Sequence, residues 1–241
     1  MRFASICFLC VVTAATADFA RATDTISTSS GPVEITPIKH ASFTLRAGNK
    51  LIYVDPSPSE LFQSKSKADL ILITDIHGDH MDQGAVEELS QPATQVIAPA
   101  AVAKTIASAK VINNGETTKW GNWKIEAVPM YNLKRGPAPG ELYHPKGRGN
   151  GYVLTYGSTR FYISGDTEDT PAMRSLKNID VAFVCMNLPY TMPVTEAAAA
   201  VKAFHPKIVY PYHYRGQDPK TFAELLKGTG IEVRVREWYP Q

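Results

Sequence analysis

Cysteine is scarce in this chain. There are three, and two of them, Cys7 and Cys10, lie near the start. If that start is removed only Cys185 remains, so no intrachain disulfide can form and stability must come from a core. Cys185 itself sits in the apolar run Val181–Cys185 and reads as a small buried hydrophobe. A charge imbalance is also missing: the formal net charge is +2 and no long basic run occurs, which gives no electrostatic reason to expect nucleic acid. The apolar run at the start, Phe3–Val12, is too short to cross a bilayer as a stable helix. No repeat, linker or charge run divides the rest, and no Ser-His-Asp or Cys-His nucleophile set is evident.

What the chain does have begins with Met1-Arg2, the apolar run and the small-residue segment Thr13–Ala17. These are the basic, apolar and cleavage regions of a secretory signal, with Ala15-Thr16-Ala17 before Asp18 and Ala20-Arg21-Ala22 as a second cleavage candidate. Cys10 follows the bulky Leu9, which argues against a lipoprotein anchor. The expectation is a signal at 1–17 (alternative end at 22), a polar leader at 18–31 and one domain at 32–241. The mature protein is then exported, periplasmic or secreted, with no stable membrane anchor.

Short β-rich runs at Val33–Ile38, Ser42–Ala47 and Leu51–Val54 predict an opening antiparallel meander. Further strands are predicted at Gln95–Ala98, Lys110–Ile112, Trp123–Pro129, Tyr152–Tyr156, Arg160–Ser164, Val181–Cys185, Ile208–Tyr210 and Ile231–Val235. Helices are predicted over Gly84–Leu89, Ala100–Ser108, Thr167–Met173, Thr195–Phe204 and Phe222–Leu226. The recurrence of β, loop and α segments in both halves suggests two similar α/β layers around one core. Tyr131–Gly151, rich in glycine and proline, is a long structured loop of the kind that usually serves function.

The chemistry concentrates in Ala68–Asp82. A run Leu70-Ile71-Leu72-Ile73, suited to a strand buried on both faces, is followed at once by Asp75, His77, Asp79 and His80. Two imidazoles and two carboxylates packed behind a core strand point to metal binding rather than to a solvated loop. Thr74-Asp75-Ile76-His77-Gly78-Asp79-His80 resembles the His-x-His-x-Asp-His signature of the metallo-β-lactamase fold superfamily, with Asp75 in place of the first His. Gly165-Asp166-Thr167 and His213 resemble that family's later ligand segments, in the same order and each behind a strand.

The resemblance implies an α/β (α+β) fold, a four-layer αββα sandwich with a site for two divalent ions at one edge. Zinc is the expected metal, with manganese or iron as options. Carried over, Asp79, His80 and His213 would hold one ion, His77 the other, and Asp166 would bridge. Two positions depart from the family pattern: Asp75, and Asn132 where a later His is usual. His144, from the long loop, is a candidate to supply the absent imidazole. Asp55, in Asp55-Pro56, is a candidate to orient a ligand histidine, and His40 an outer candidate near the metals. Lys146, Arg148 and Arg215, with Tyr190 and Tyr214, could receive an anionic part of a small-molecule substrate. Such a site would use a hydroxide bridging two ions to hydrolyse an ester, lactone, phosphodiester or amide-type bond, with Asp79 as general base. The rival reading is an exported metal- or ligand-binding protein on the same fold without turnover.

Overall fold

The computed structural model describes residues 23–239, so the expected signal at 1–17 lies outside the described residues. Fourteen strands and five α-helices follow in the order β1 (Asp24–Ile26), β2 (Val33–Lys39), β3 (Ser42–Ala47), β4 (Lys50–Val54), β5 (Leu70–Leu72), α1 (Gln83–Leu89), β6 (Gln95–Ala98), α2 (Ala100–Ala103) and β7 (Lys110–Val111) in the first half. The second half runs β8 (Thr117–Trp120), β9 (Trp123–Met130), β10 (Gly149–Tyr156), β11 (Thr159–Ile163), α3 (Pro171–Arg174), β12 (Val181–Cys185), α4 (Val194–Phe204), β13 (Ile208–Tyr212), α5 (Pro219–Leu226) and β14 (Glu232–Val233).

Each half makes one seven-stranded sheet whose strands are neighbours in chain order. In the first, β1 to β4 are antiparallel and β4 to β7 parallel. The second repeats the plan, with β8 to β11 antiparallel and β11 to β14 parallel. The expected two-layer arrangement is therefore present, and its symmetry comes from element order rather than from sequence repetition.

Side-chain alternation decides which face each residue buries. On β4 and β5, Ile52, Val54, Leu70 and Leu72 point to the core shared with the second sheet. Leu51, Tyr53, Ile71 and Ile73 point the other way, into a second cluster under Val86 and Leu89 of α1 and Val102 of α2. A strand covered on both faces has no polar side, which is why 70–73 reads as an unbroken apolar run. The second sheet is covered by α4, whose Ala197, Ala200, Val201 and Phe204 face inward.

Three expectations need correction. The segment read as a polar leader contains β1, whose Asp24 pairs with Ile35, and Arg236 holds the Asp24 carboxylate at 2.7 and 2.8 Å. An isolated short strand has too little apolar content to be read from sequence, and here the ladder with β2 creates it. The helix predicted over 100–108 stops after one turn at Ala103, because the chain turns to bury Ile106 beside α2. The helix predicted from Thr167 starts instead at Pro171, where Thr170 caps it by accepting from the Met173 N–H at 3.2 Å. That leaves Asp166 without a capping role.

Candidate metal centre

Parallel strands in register end at the same edge of their sheet, and the loops beyond those ends are where α/β proteins assemble sites. Here that edge gathers Asp55 after β4, residues 74–80 after β5, Asn132 and His144 after β9, Asp166 after β11, and His213 after β13. His40 joins them from the β2–β3 turn, since β3 begins where β4 ends, with Phe43 opposite Val54.

Asp55 is buried and occupied on both oxygens. Oδ1 accepts from the Thr74 N–H at 2.7 Å, and Oδ2 accepts from Thr74 Oγ1 at 2.7 Å and from His80 Nδ1 at 2.9 Å. Because Nδ1 of His80 is committed as donor, its Nε2 is left free and lies 3.3 Å from Asp166 Oδ2. Asp166 is the common neighbour of three imidazoles: His144 Nε2 lies 3.1 Å from its Oδ2 and His213 Nε2 3.4 Å from its Oδ1.

His144 is oriented in the same way by Asn132, whose Oδ1 accepts from the His144 N–H at 3.0 Å and from its Nδ1 at 2.5 Å. The Asn132 amide nitrogen donates to Glu168 Oε1 at 3.0 Å and to the Tyr190 carbonyl at 2.8 Å, so its orientation is unambiguous. Glu168 is buried and takes Arg135 from behind, at 3.3 Å. Asn132 thus stands behind the imidazole rather than among the donors. Glu168 and Arg135 were not singled out from sequence, and no local pattern marks them.

His40 is nearer the centre than expected. Its Nε2 lies 3.1 Å from Asp79 Oδ2, its ring lies tilted by 34° against His213 at 3.7 Å between centroids, and its Nδ1 is held by Tyr239 Oη at 2.5 Å. His213 Nε2 in turn lies 3.3 Å from the same Asp79 oxygen. Asp79 has 44% of its side chain exposed and so forms the mouth of the centre. His40, Asp55 and His213 all adopt positive φ, 55°, 46° and 49°. Each such residue costs about 1 kcal/mol, and Asp and His are among the side chains that tolerate it. Gly78, within the 74–80 loop, does not use a left-handed conformation. Gly165 (φ 58°) does, and a Cβ there would meet Met130 Sδ at 2.5 Å, so glycine is required just before Asp166.

Asp75 is fully buried and already shared. Arg148 grips it with Nε–Oδ1 at 3.3 Å and Nη2–Oδ2 at 3.1 Å, and His77 Nδ1 lies 2.9 Å from Oδ2. Arg148 is therefore neutralising Asp75 and is not available to a substrate. Two other expected substrate contacts are also elsewhere. Lys146 is exposed and sits over the Tyr131 ring at 5.3 Å, where cation–π attraction holds it. Tyr214 turns to the C-terminal segment, packing edge-on to Tyr239 at 5.0 Å with its hydroxyl donating to the Arg236 carbonyl. Tyr190 and Arg215 do line the cleft of about 690 Å³ that opens over His40, His77, Asp79, His144 and Asp166.

Three groups of donors lie within 4.8 Å of one another: His40, Asp79 and His213; Asp75, His77 and His144; and His80, Asp166 and His213. These donors fit a metal on two grounds. His80 Nε2, His144 Nε2, His213 Nε2 and Asp166 Oδ1 are buried with no hydrogen-bond partner among the described residues, a costly arrangement unless a cation takes them. The field has the right sign as well. Burial opposes charge on His80, but the Asp166 and Asp55 carboxylates outweigh it and hold its pKa well above the ordinary value, so a positive charge is favoured there. Burial would raise Asp79 and Asp166, yet their histidine neighbours keep both carboxyls ionised, far below the usual range. Burial brings His40 down to about 4 despite its bond to Asp79, so its ring is neutral near pH 7, with Nε2 donating to that carboxylate and the lone pair on Nδ1 facing Tyr239 Oη.

Residues 34–213 match a family model described as a beta-lactamase superfamily domain. Among similar proteins, a UPF0173 metal-dependent hydrolase of Thermococcus onnurineus is 30% identical over 226 residues, covering 84% of this chain and 96% of the relative. A crystal structure from Parabacteroides distasonis, designated a metal-dependent hydrolase, superposes with a TM-score of 0.86 at 45% identity, covering 91% of this chain and all of that one. The metallo hydrolase Igni18 of Ignicoccus hospitalis shares the fold, with a TM-score of 0.72 at 22% identity over 86% of this chain and 96% of its own.

Proposed function

This chain belongs to the beta-lactamase superfamily, and from that premise we propose that it is a metal-dependent hydrolase of a small-molecule substrate. The observation that carries the reading is the convergence of the three imidazole Nε2 atoms on Asp166, these nitrogens and Asp166 Oδ1 being buried with no hydrogen-bond partner among the described residues. We assign His80, His213, Asp79 and Asp166, with His40 beside them, to one divalent ion, and His77, His144 and the shared Asp166 to a second, with Asp75 next to it. The ions are zinc, or manganese or iron, and when bound they polarise an ester, lactone, phosphodiester or amide-type bond and acidify the attacking water.

The chain's own residues do the rest. Asp55 and Asn132 lock His80 and His144 with Nδ1 donating, so that each presents Nε2 to the centre. Asp79, at the mouth of the centre, is the residue we assign to accept the proton of the attacking water as general base. Because Arg148 already balances Asp75, that carboxylate serves mainly to hold His77.

The reading is tested by stripping and restoring metal. Chelation is expected to abolish any hydrolysis found in a substrate panel, with zinc or manganese restoring it, and His144→Ala to lower stoichiometry from two ions toward one. Turnover that survives thorough chelation would overturn the assignment in favour of a protein that binds without hydrolysing. Location is proposed from sequence alone: an exported chain should show a mature N-terminus at Asp18 or Thr23, and native mass spectrometry finding residues 1–17 retained would refute export.

A further inference from the structure

The cleft above the donors is two-sided. On one wall stand Leu188 and Tyr190, 39% and 46% exposed, and these are two of only four exposed large hydrophobic residues among those described. Pro189 lies between them, and Tyr143 packs edge-on to the Tyr190 ring at 5.0 Å, stiffening an apolar shelf. Asn132 holds this loop from below through the Tyr190 carbonyl, so the shelf is fixed relative to His144.

The opposite wall is cationic. Arg215 lines both the main cleft and an adjoining one of about 300 Å³ that also contains Lys39, His40 and Asp79. Most surface arginines are simply solvated, and that is the reading to beat. The other described arginines mostly argue against it. Six of the seven, Arg135, Arg148, Arg160, Arg174, Arg234 and Arg236, each have a carboxylate partner; Arg46, on the outer part of β3 away from the donors, has none. Among the described residues Arg215 has none, and neither has Lys39, although both line a cleft with Asp79. Asp79, the carboxylate that lines this adjoining cleft, is already bonded to His40 and lies 3.3 Å from His213 Nε2.

We infer that this site takes an amphiphilic substrate: an oxyanion, carboxylate or phosphate, received by Arg215, and an apolar or aromatic arm laid on Leu188–Tyr190, with the scissile bond over the donors between them. An arginine fork pairs two oxygens of such a group at once, which a solvated lysine does not. Bond cleavage between the two walls rests on the hydrolase reading; the binding itself does not.

Isothermal titration of the zinc-loaded mature chain tests it with benzylphosphonate, phenylacetate and neutral 2-phenylacetamide. Anions also favour the metals, so the diagnostic is the variant and not the wild-type preference. Arg215→Gln is expected to weaken both anions by about tenfold, the size of one charge-assisted contact at a partly exposed site, and to leave the amide unchanged. Arg215→Lys should recover part of that loss. Tyr190→Ala should weaken the two aromatic anions while leaving methylphosphonate and acetate as they were. Whichever of benzylphosphonate and phenylacetate loses more on Arg215→Gln identifies the anion that Arg215 receives. Equal affinity of both anions for wild type and Arg215→Gln overturns it, as does an equal loss for the amide. No turnover is needed, so failure of the hydrolase reading under chelation leaves this result standing, and failure here leaves that reading standing.

Discussion

Asp166→Ala is expected to empty both proposed ion positions together, lowering metal affinity by more than the ~100-fold that loss of a merely supporting group causes. Asp166 lies within 3.4 Å of three imidazoles drawn from three separate loops, His80, His144 and His213. Its removal takes away an oxygen ligand and the negative charge that offsets two cations, in a buried place where water cannot substitute. Hydrolysis should fall with occupancy. Asp166→Asn separates the two losses, since it keeps one oxygen and the shape but not the charge. Competition against a chromophoric chelator, with metal counted independently, gives the answer. Two ions held by Asp166→Ala at wild-type affinity would show that this carboxylate is not shared.

The second large effect is at Asp55, and here stability and chemistry part company. Asp55→Ala strands the Thr74 N–H in a dry interior and leaves the Thr74 hydroxyl and His80 Nδ1 with only each other, 3.1 Å apart. Breaking a buried charged pair from one side costs about 3–5 kcal/mol. The left-handed backbone at 55 adds to the cost, because alanine tolerates it less well than aspartate does. Denaturant unfolding of the metal-free protein should show that loss. Asp55→Asn should cost much less stability and yet damage the site. The Thr74 N–H can only donate, so the asparagine oxygen must face it, which turns the amide NH₂ toward His80 and the Thr74 hydroxyl, both able to accept. His80 then carries its proton on Nε2, the atom proposed to hold metal. Loss of metal affinity with near-native stability is the expected signature, and an NMR reading of His80 still protonated on Nδ1 in Asp55→Asn would refute the mechanism.

Local composition and order made several parts of this protein legible from the chain. The run 70–73 announces a strand buried on both faces because both faces of β5 are covered. Asp75, His77, Asp79 and His80 are close in space because they are close in sequence, within one turn where the His80 and Met81 N–H groups both reach the His77 carbonyl. Asp166 and His213 could be anticipated because each directly follows a strand whose end lies at the same edge. His144 could be nominated from the want of an imidazole at Asn132, and the structure brings the two together, although it is the amide that orients the ring.

What the sequence by itself determined is therefore the layered fold, the order of its strands and the supply of donors, since burial period and strand-end chemistry are written within a few residues of each other. What only the tertiary structure decided is how those donors are aimed and balanced. His40 enters the centre through Tyr239, 199 positions away, while Arg148 neutralises Asp75 across 73, and Glu168 steadies Asn132 across 36. Such pairings leave no local pattern, because an ion pair or a hydrogen bond needs only proximity and an apt partner. Whether a given arginine meets a carboxylate, as Arg148 does, or faces an open cleft, as Arg215 does, depends on the packing of two sheets that share no continuous stretch of chain.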